Sequence, residues 1–299
     1  MHIAFSADDN YAQHLGVTLA SLLMHLRPGV VPHIYIIDGG ISAQNKARIE
    51  ELKSIRDFRV EYLTIDPAEY TGFPLTARHK SVAIYFRLKL PQLLPHLDKV
   101  LYLDIDIVVE DDLFPLYETA LEPDIWLAAV FEPDVNVPFT TSIGMDRTDL
   151  YFNSGVMVMN LAALRNIDFD ARCRNFAFRY HDAILYLDQD VLNYVCRGHV
   201  QALDPRFNLI AHFSNKAGRV QELNSCYDSF TINRAIKHPA IVHFLGKYKP
   251  WVYRCYVPFA GKYMEYIKHT PWKDYRYPDR NIRTVIAKFF YTMKKKRKE

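Results

Sequence analysis

Short apolar runs bounded by turn residues alternate with helical patterns from the start of this chain, and that alternation restricts it to an α/β fold on a largely parallel sheet covered on both faces. The runs at 3–7, 34–37, 60–65, 100–105, 126–130, 155–160 and 241–244 read as strands. Helices are expected at 11–26 behind the polar turn Asp8-Asp9-Asn10, at 42–54 behind a Ser42 cap, and at 83–90 ahead of Pro91. Beyond Asn160 the pattern turns helix-rich, with helices expected at 171–181 and 188–196. No Gly/Ser-rich linker intervenes, so one continuous domain over 1–277 and an appendage over 278–299 are expected. A hydrophobic share of 49% is ample for the core of such a domain.

Charge is divided unevenly between these two parts. From Arg280 onward there are eight basic residues and one acidic residue, which leaves the preceding body at −4 although the whole chain is +3. The basic character belongs to the tail, and nucleic acid is not an expected partner of the body. The four cysteines, at 173, 196, 226 and 255, form no Cys-Xaa-Xaa-Cys pair, which argues for reduced structural thiols. The opening MHIAFSADDNY lacks the basic and apolar regions of a signal peptide, and no stretch is long and apolar enough to span a bilayer. A cytoplasmic protein is the expectation.

Three segments carry chemistry. In KVLYLDIDIVVEDD an apolar strand bears Asp104 and Asp106, and residues two apart on a strand face one side, so both carboxylates would meet one space. Hard oxygen ligands so placed suit Mg²⁺ or Mn²⁺ bridging a diphosphate, although Asp-Xaa-Asp also arises by chance where a strand enters an acidic loop. Leaving two buried carboxylates unpaired would be costly, which favours the metal. In FSADDNYA the first strand ends in Ala7-Asp8-Asp9-Asn10; small residues admit a planar base and Asp8 and Asn10 can bond its edge or a ribose, while an ordinary helix cap explains the same residues. In VHFLGKYKPW a strand delivers His243, Gly246 permits close backbone approach, and Lys247 and Lys249 supply charge for a diphosphate. An imidazole completing the site beside two carboxylates shifts the choice from Mg²⁺ towards Mn²⁺. A lone strand histidine is otherwise a core residue.

Taken in order, FSADDNY, FPLTARHKSVAIYFRLKLPQLLP, KVLYLDIDIVVEDDLFPLY, YFNSGVMVMNL, YLDQDVLN, RFN and HFLGKYKPW resemble glycosyltransferase family 8. These retaining enzymes include bacterial lipooligosaccharide α-galactosyltransferases, lipopolysaccharide glucosyltransferases and glycogenin. The resemblance implies a GT-A-type, single Rossmann-like α/β domain with a mostly parallel central sheet, plus a basic amphipathic C-terminal helical tail. It implies UDP-galactose or UDP-glucose as donor, a saccharide acceptor, and Mn²⁺, with Mg²⁺ as the alternative, held by Asp104, Asp106 and His243. Ala7, Asp8 and Asn10 would meet the uridine, Arg87 the donor phosphate and sugar, Asp104 and Ile105 the nucleotide-sugar, and Gly246 and Lys249 the diphosphate. Asn153, Asp188 and Gln189 fall where the family contacts the donor hexose. Ile84-Tyr85 replaces the Thr-Tyr pair of the galactosyltransferases, and His243-Phe244-Leu245-Gly246 replaces their His-Tyr-Cys-Gly, so galactose and glucose both stay open as donor.

Retention follows from same-face attack by the acceptor hydroxyl or from a covalent intermediate. Gln189, at the family position nearest the anomeric carbon, is a poor nucleophile, which favours same-face attack, with Asp190 as the alternative nucleophile. The tail places Ile282, Val285, Ile286, Phe289, Phe290 and Met293 at helical spacing among basic residues, a pattern that fits an interfacial helix on an anionic membrane or a helix docked on the body. With the resemblance to tail-anchored enzymes, it points to peripheral attachment at the inner face of the cytoplasmic membrane and a lipid-linked acceptor such as lipopolysaccharide core. The competing readings are a UDP- or lipid-surface-binding module without turnover, and a metal-dependent nucleotidyltransferase or phosphodiesterase.

Overall fold

The computed structural model describes residues 1–76, 81–132, 137–211, 226–246 and 249–296, the last helix by its backbone alone from 290. Ten strands are present among them: β1 (His2–Ala7), β2 (His33–Asp38), β3 (Arg59–Leu63), β4 (Lys99–Leu103), β5 (Ile107–Val109), β6 (Leu127–Phe131), β7 (Phe152–Asn160), β8 (Val200–Ala202), β9 (Leu209–Ile210) and β10 (Ile241–His243). Seven form one sheet in the order β3-β2-β1-β4-β7-β6-β8, and β5, β10 and β9 form a second. In the large sheet only β7 runs against its neighbours.

Alternating side chains explain the apolar runs, because each strand feeds a core on both faces. Ile3 and Phe5, Ile34 and Ile36, Leu101 and Leu103, and Val156 and Val158 pack on one face with Leu15, Leu19 and Leu22 of the helix Ala12–His25. Ala4, Tyr35, Val100, Tyr102, Met157 and Met159 pack on the other with Leu164, Phe176 and Leu192. Those three come from the helices Leu161–Asn166, Phe169–Arg179 and Asp188–Cys196. The small sheet buries Val108, Val242 and Phe244 against Val17 and against Tyr263 of the helix Ala260–Tyr266.

Strand order places the site. The chain runs outward from β1 to β2 and β3, then returns to lay β4 on the other side of β1. The parallel pair β1/β4 is thus a topological switch point, and a crevice opens beyond the carboxyl ends of such a pair. Ala7-Asp8 and Asp104 stand at those two ends.

Three local expectations change. The aspartates do not lie on a strand: β4 stops at Leu103, and Asp104-Ile105-Asp106 is a bend through which the chain passes from the large sheet to β5 in the small one. The segment at 83–90 is not an α-helix but a 3₁₀ helix, Val82–Lys89, and the α-turn Leu90–Leu93 follows with Pro91 in its first turn, where a missing N–H costs nothing. Strands β5, β8 and β9, two or three residues each, were too short to carry a period.

Candidate active site

The bend that carries the two aspartates is pinned from three sides. Thr18, fully buried on the helix Ala12–His25, sets its hydroxyl within reach of the Ile105 and Ile107 carbonyls at 3.1 and 2.9 Å. Asp104 N–H donates to the Gly155 carbonyl on β7 at 2.7 Å, and Phe244 N–H donates to the Asp106 carbonyl at 2.9 Å. The last contact brings the end of β10, and with it His243, against the bend.

Asp104, Asp106 and His243 therefore converge, each offering a ligand atom within 4.8 Å of the others. His243 is fully buried, its Nε2 3.0 Å from Asp106 Oδ1 and 3.7 Å from Asp104 Oδ2. Gly155 makes the space: a Cβ there would run into His243 Cε1 and stand 2.8 Å from Asp104 Oδ2. Two carboxylates and one imidazole around a gap left by a missing side chain fit a divalent cation. Lys249 donates to Asp106 Oδ2 and to the Phe244 carbonyl. Burial pushes the Asp106 carboxyl up, but Lys249 and His243 beside it outweigh burial and hold it below the ordinary carboxylate range.

Arg87 forms the opposite wall. Its guanidinium lies over the Tyr102 ring at 4.4 Å, donates to the Ser154 carbonyl at 3.1 Å, and pairs with Asp104 Oδ1 and Asp188 Oδ2 at 2.9 Å each. The contact with Asp188 joins the charges without hydrogen-bond alignment, which leaves both buried atoms unspent. Burial pushes the Asp188 carboxyl up to about 7, with Arg87 opposing the rise and Asp104 adding to it. Next to it, Gln189 Oε1 accepts from Asn153 Nδ2 and Ser154 N–H at 3.1 Å each, and its Nε2 faces Glu132 and Tyr151.

Asp190 has a different setting from its neighbours. It is fully buried, its Oδ1 accepting from the Tyr151 hydroxyl at 2.5 Å and its Oδ2 from the N–H groups of Leu185 and Tyr186 at 2.8 Å. Those bonds hold the turn into Leu187, a non-glycine residue at φ 55°. A carboxylate so engaged braces the loop that presents Asp188 and Gln189, both of its oxygens bonded within the protein.

At the β1 end, Ala7 is buried, Asp8 is half-buried and Asn10 is exposed. Asp8 accepts from Tyr11 N–H at 3.1 Å and so caps the turn at the mouth of the crevice. Gly246 sits at φ 82°, where a side chain would be strained, which accounts for glycine at this point. Lys247 lies outside the described residues.

One buried base lines the Lys249 side. His14 stacks on Trp251 with ring centroids 3.6 Å apart, and its Nδ1 is 2.7 Å from the Tyr263 hydroxyl. Burial pushes its pKa down to about 3, with Asp106 opposing and Lys249 assisting. The unfolded chain binds this proton near pH 6.5, so the neutral ring stabilises the fold fully above that pH and progressively less as pH falls towards about 3. Between pH 7 and pH 5 the loss from this group should be about 2 kcal/mol. Denaturant unfolding at both pH values should show the wild type losing about that much more stability than His14→Gln between them; equal changes in the two would remove His14 as the source.

With this geometry in place, the chain can be set beside known proteins. Residues 2–255 match the profile of Glycosyl transferase family 8. The chain belongs to that family. It is 30% identical over 276 residues to General stress protein A of Bacillus subtilis, covering 91% of this chain and 94% of that one. It is 26% identical to a lipopolysaccharide 1,2-glucosyltransferase of Escherichia coli K12 over 92% of this chain and 79% of that protein. Among solved structures, the galactosyltransferase LgtC in complex with donor and acceptor sugar analogues matches with a TM-score of 0.80 and 32% identity, over 91% of this chain and 96% of that one. This family 8 chain is accordingly a glycosyltransferase of the GT-A type, taking a nucleotide-sugar donor and a saccharide acceptor.

The structure brings together Arg87, Asp104, Asp106, Asn153, Asp188, Gln189, His243 and Lys249 from five separate stretches of sequence. Sequence reasoning passed over Thr18, Tyr102, Gly155 and Asn208. Gly155 and Asn208 lie inside segments already matched to the family, YFNSGVMVMNL and RFN, but only side-chain contacts reveal what they do.

Proposed function

We propose that this family 8 enzyme transfers galactose or glucose from UDP, with retention at the anomeric carbon, to a glycan acceptor of lipopolysaccharide or lipooligosaccharide core. The observation that carries the reading is the convergence of two carboxylates, one imidazole and one lysine beside the carboxyl ends of β1 and β4. Asp104, Asp106 and His243 would hold Mn²⁺, which supplies positive charge to a leaving diphosphate. Lys249, beside Asp106, would add positive charge to the same oxygens, and Gly246 would let the backbone approach them. Ala7, Asp8 and Asn10 receive the uridine, and the Ile105 backbone borders it. Arg87, Asn153, Asp188 and Gln189 grip the hexose.

Retention is then assigned to same-face attack. Gln189 is a neutral amide, and the Asp190 oxygens are taken up by Tyr151, Leu185 and Tyr186, which supports a route without a protein nucleophile. The catalytic domain is taken as 1–277 and the tail as 278–299. Ile282 and Phe289, 79% and 60% exposed on the helix Ile282–Lys296, support a membrane-surface role for that tail. No helix among the described residues is long and apolar enough to cross a membrane. The run at 294–298 lies beyond the described side chains.

A single assay series tests these assignments. Incubated with Mn²⁺, a panel of UDP-sugars and oligosaccharide acceptors, the protein should release UDP from UDP-galactose or UDP-glucose and form an α-linked product on the acceptor. The chain ending at residue 278 should keep that activity on soluble acceptors and lose sedimentation with anionic vesicles. Release of diphosphate or nucleotide in place of glycoside would contradict the transfer reading, and full sedimentation of the shortened chain would contradict the tail.

A further inference from the structure

Behind the three metal-site side chains runs a line of amides. His243 Nδ1 lies 2.9 Å from Asn208 Oδ1, Asn208 Nδ2 lies 2.9 Å from Asn153 Oδ1, and Asn153 Nδ2 lies 3.1 Å from Gln189 Oε1. Asn153 and Asn208 are 3% and 2% exposed, so each polar atom must find its partner within the protein.

The backbone fixes the direction of this line at two points, since a main-chain N–H can only donate. Gly155 N–H meets Asn153 at 3.1 Å, so the atom it meets is the amide oxygen, and Ser154 N–H meets Gln189 at 3.1 Å on the same logic. Asn153 turns that same oxygen to Asn208, which must answer with its NH₂ group. The oxygen of Asn208 is thereby left facing His243. An amide oxygen only accepts, so Nδ1 of the imidazole must carry a proton. Nε2 is then the one ring nitrogen left to give a lone pair to a cation, and Nε2 is the atom that faces Asp106 and Asp104. Turning any one amide over would set two oxygens or two NH groups against each other in a buried place, so no single flip is tolerated.

We infer that Asn208 is a positioning residue: together with Asn153 it locks His243 in the tautomer that offers Nε2 to a divalent cation. The same two amides tie that ligand to Gln189, so the metal site and the hexose site share one rigid hydrogen-bonded line. Outer partners of this kind orient a ligating imidazole and set its affinity. The inference rests on the metal reading proposed above, and its test separates the two.

Histidine ¹⁵N NMR of the metal-free, full-length protein should show the His243 Nδ1 protonated. A bare Nδ1 would overturn the inference, and this arm requires neither metal nor turnover nor a substituted protein. Titration with Mn²⁺ in the presence of UDP, followed by electron paramagnetic resonance, then reads the positioning. Asn208→Leu should weaken Mn²⁺ binding about 10- to 100-fold. Unchanged Mn²⁺ affinity in a folded Asn208→Leu would overturn the inference. If the wild type takes up no Mn²⁺ while Nδ1 is protonated, the metal reading fails and the tautomer lock is upheld.

Discussion

Alanine at position 155 should lower metal-dependent turnover by about 10²-fold while leaving the protein folded. The added Cβ would run into His243 Cε1, and it would stand 2.8 Å from Asp104 Oδ2 and 2.9 Å from His243 Nδ1. Neither neighbour can yield easily. Asn208 backs His243, and Arg87 and Tyr102 hold Asp104 at 2.9 and 3.2 Å. A displacement of about 1 Å in a reacting constellation costs on the order of 10²-fold. Overpacking by one methyl should cost about 1–3 kcal/mol of stability. Gly155 is not in the left-handed region, so packing against the metal site, and not backbone freedom, is the reason for glycine here. Kinetic constants and Mn²⁺ affinity of Gly155→Ala check this; wild-type values for both would show that the site accommodates the methyl and that the steric reading is wrong.

Loss of either bend carboxylate should be at least as damaging. Asp104→Asn and Asp106→Asn should each reduce Mn²⁺-dependent transfer by about 10²–10³-fold or more, because each would remove a charged ligand from the proposed metal site, which would stabilise charge on the leaving diphosphate. The two variants should differ in their side effects. Asp106→Asn strips Lys249 and His243 of the charge that both face. Asp104→Asn leaves Arg87 with Asp188 as its remaining carboxylate among the described ion pairs. Chelator should abolish wild-type transfer and have little further effect on either variant. Activity that survives excess chelator, or full turnover by either variant, would end the metal assignment.

The parts of the site legible beforehand were those written locally. KVLYLDIDIVV gave a strand and two carboxylates because both signals lie within a dozen consecutive residues. The helix over 188–196 was read to the residue, because its polar start and apolar face share one short stretch. The aspartates were nonetheless expected on the strand and stand in a bend, because the break in β4 is imposed from outside by Thr18, Gly155 and Phe244. The expected helix ahead of Pro91 became 3₁₀ for a related reason: its side chains, Tyr85, Phe86 and Leu88, are set by packing on the sheet and not by helical period. Asp190 reads from the sequence as the alternative nucleophile next to Gln189, and only the tertiary structure reveals that Tyr151 and the Leu185–Tyr186 backbone bond both of its oxygens.

By itself the sequence determined the alternation of strands and helices, the acidic pair, the histidine and lysines that follow a late strand, and the separation of a basic tail from an acidic body. These are properties of neighbours along the chain, set by period, residue type and charge. Tertiary structure alone decided that His243 meets Asp106 across 137 positions, that Gly155 clears the room for their meeting, and that Asn208 chooses which imidazole nitrogen faces it. Such contacts depend on how two sheets and the helix between them pack in three dimensions, and no local pattern encodes an ångström-scale distance between residues so far apart.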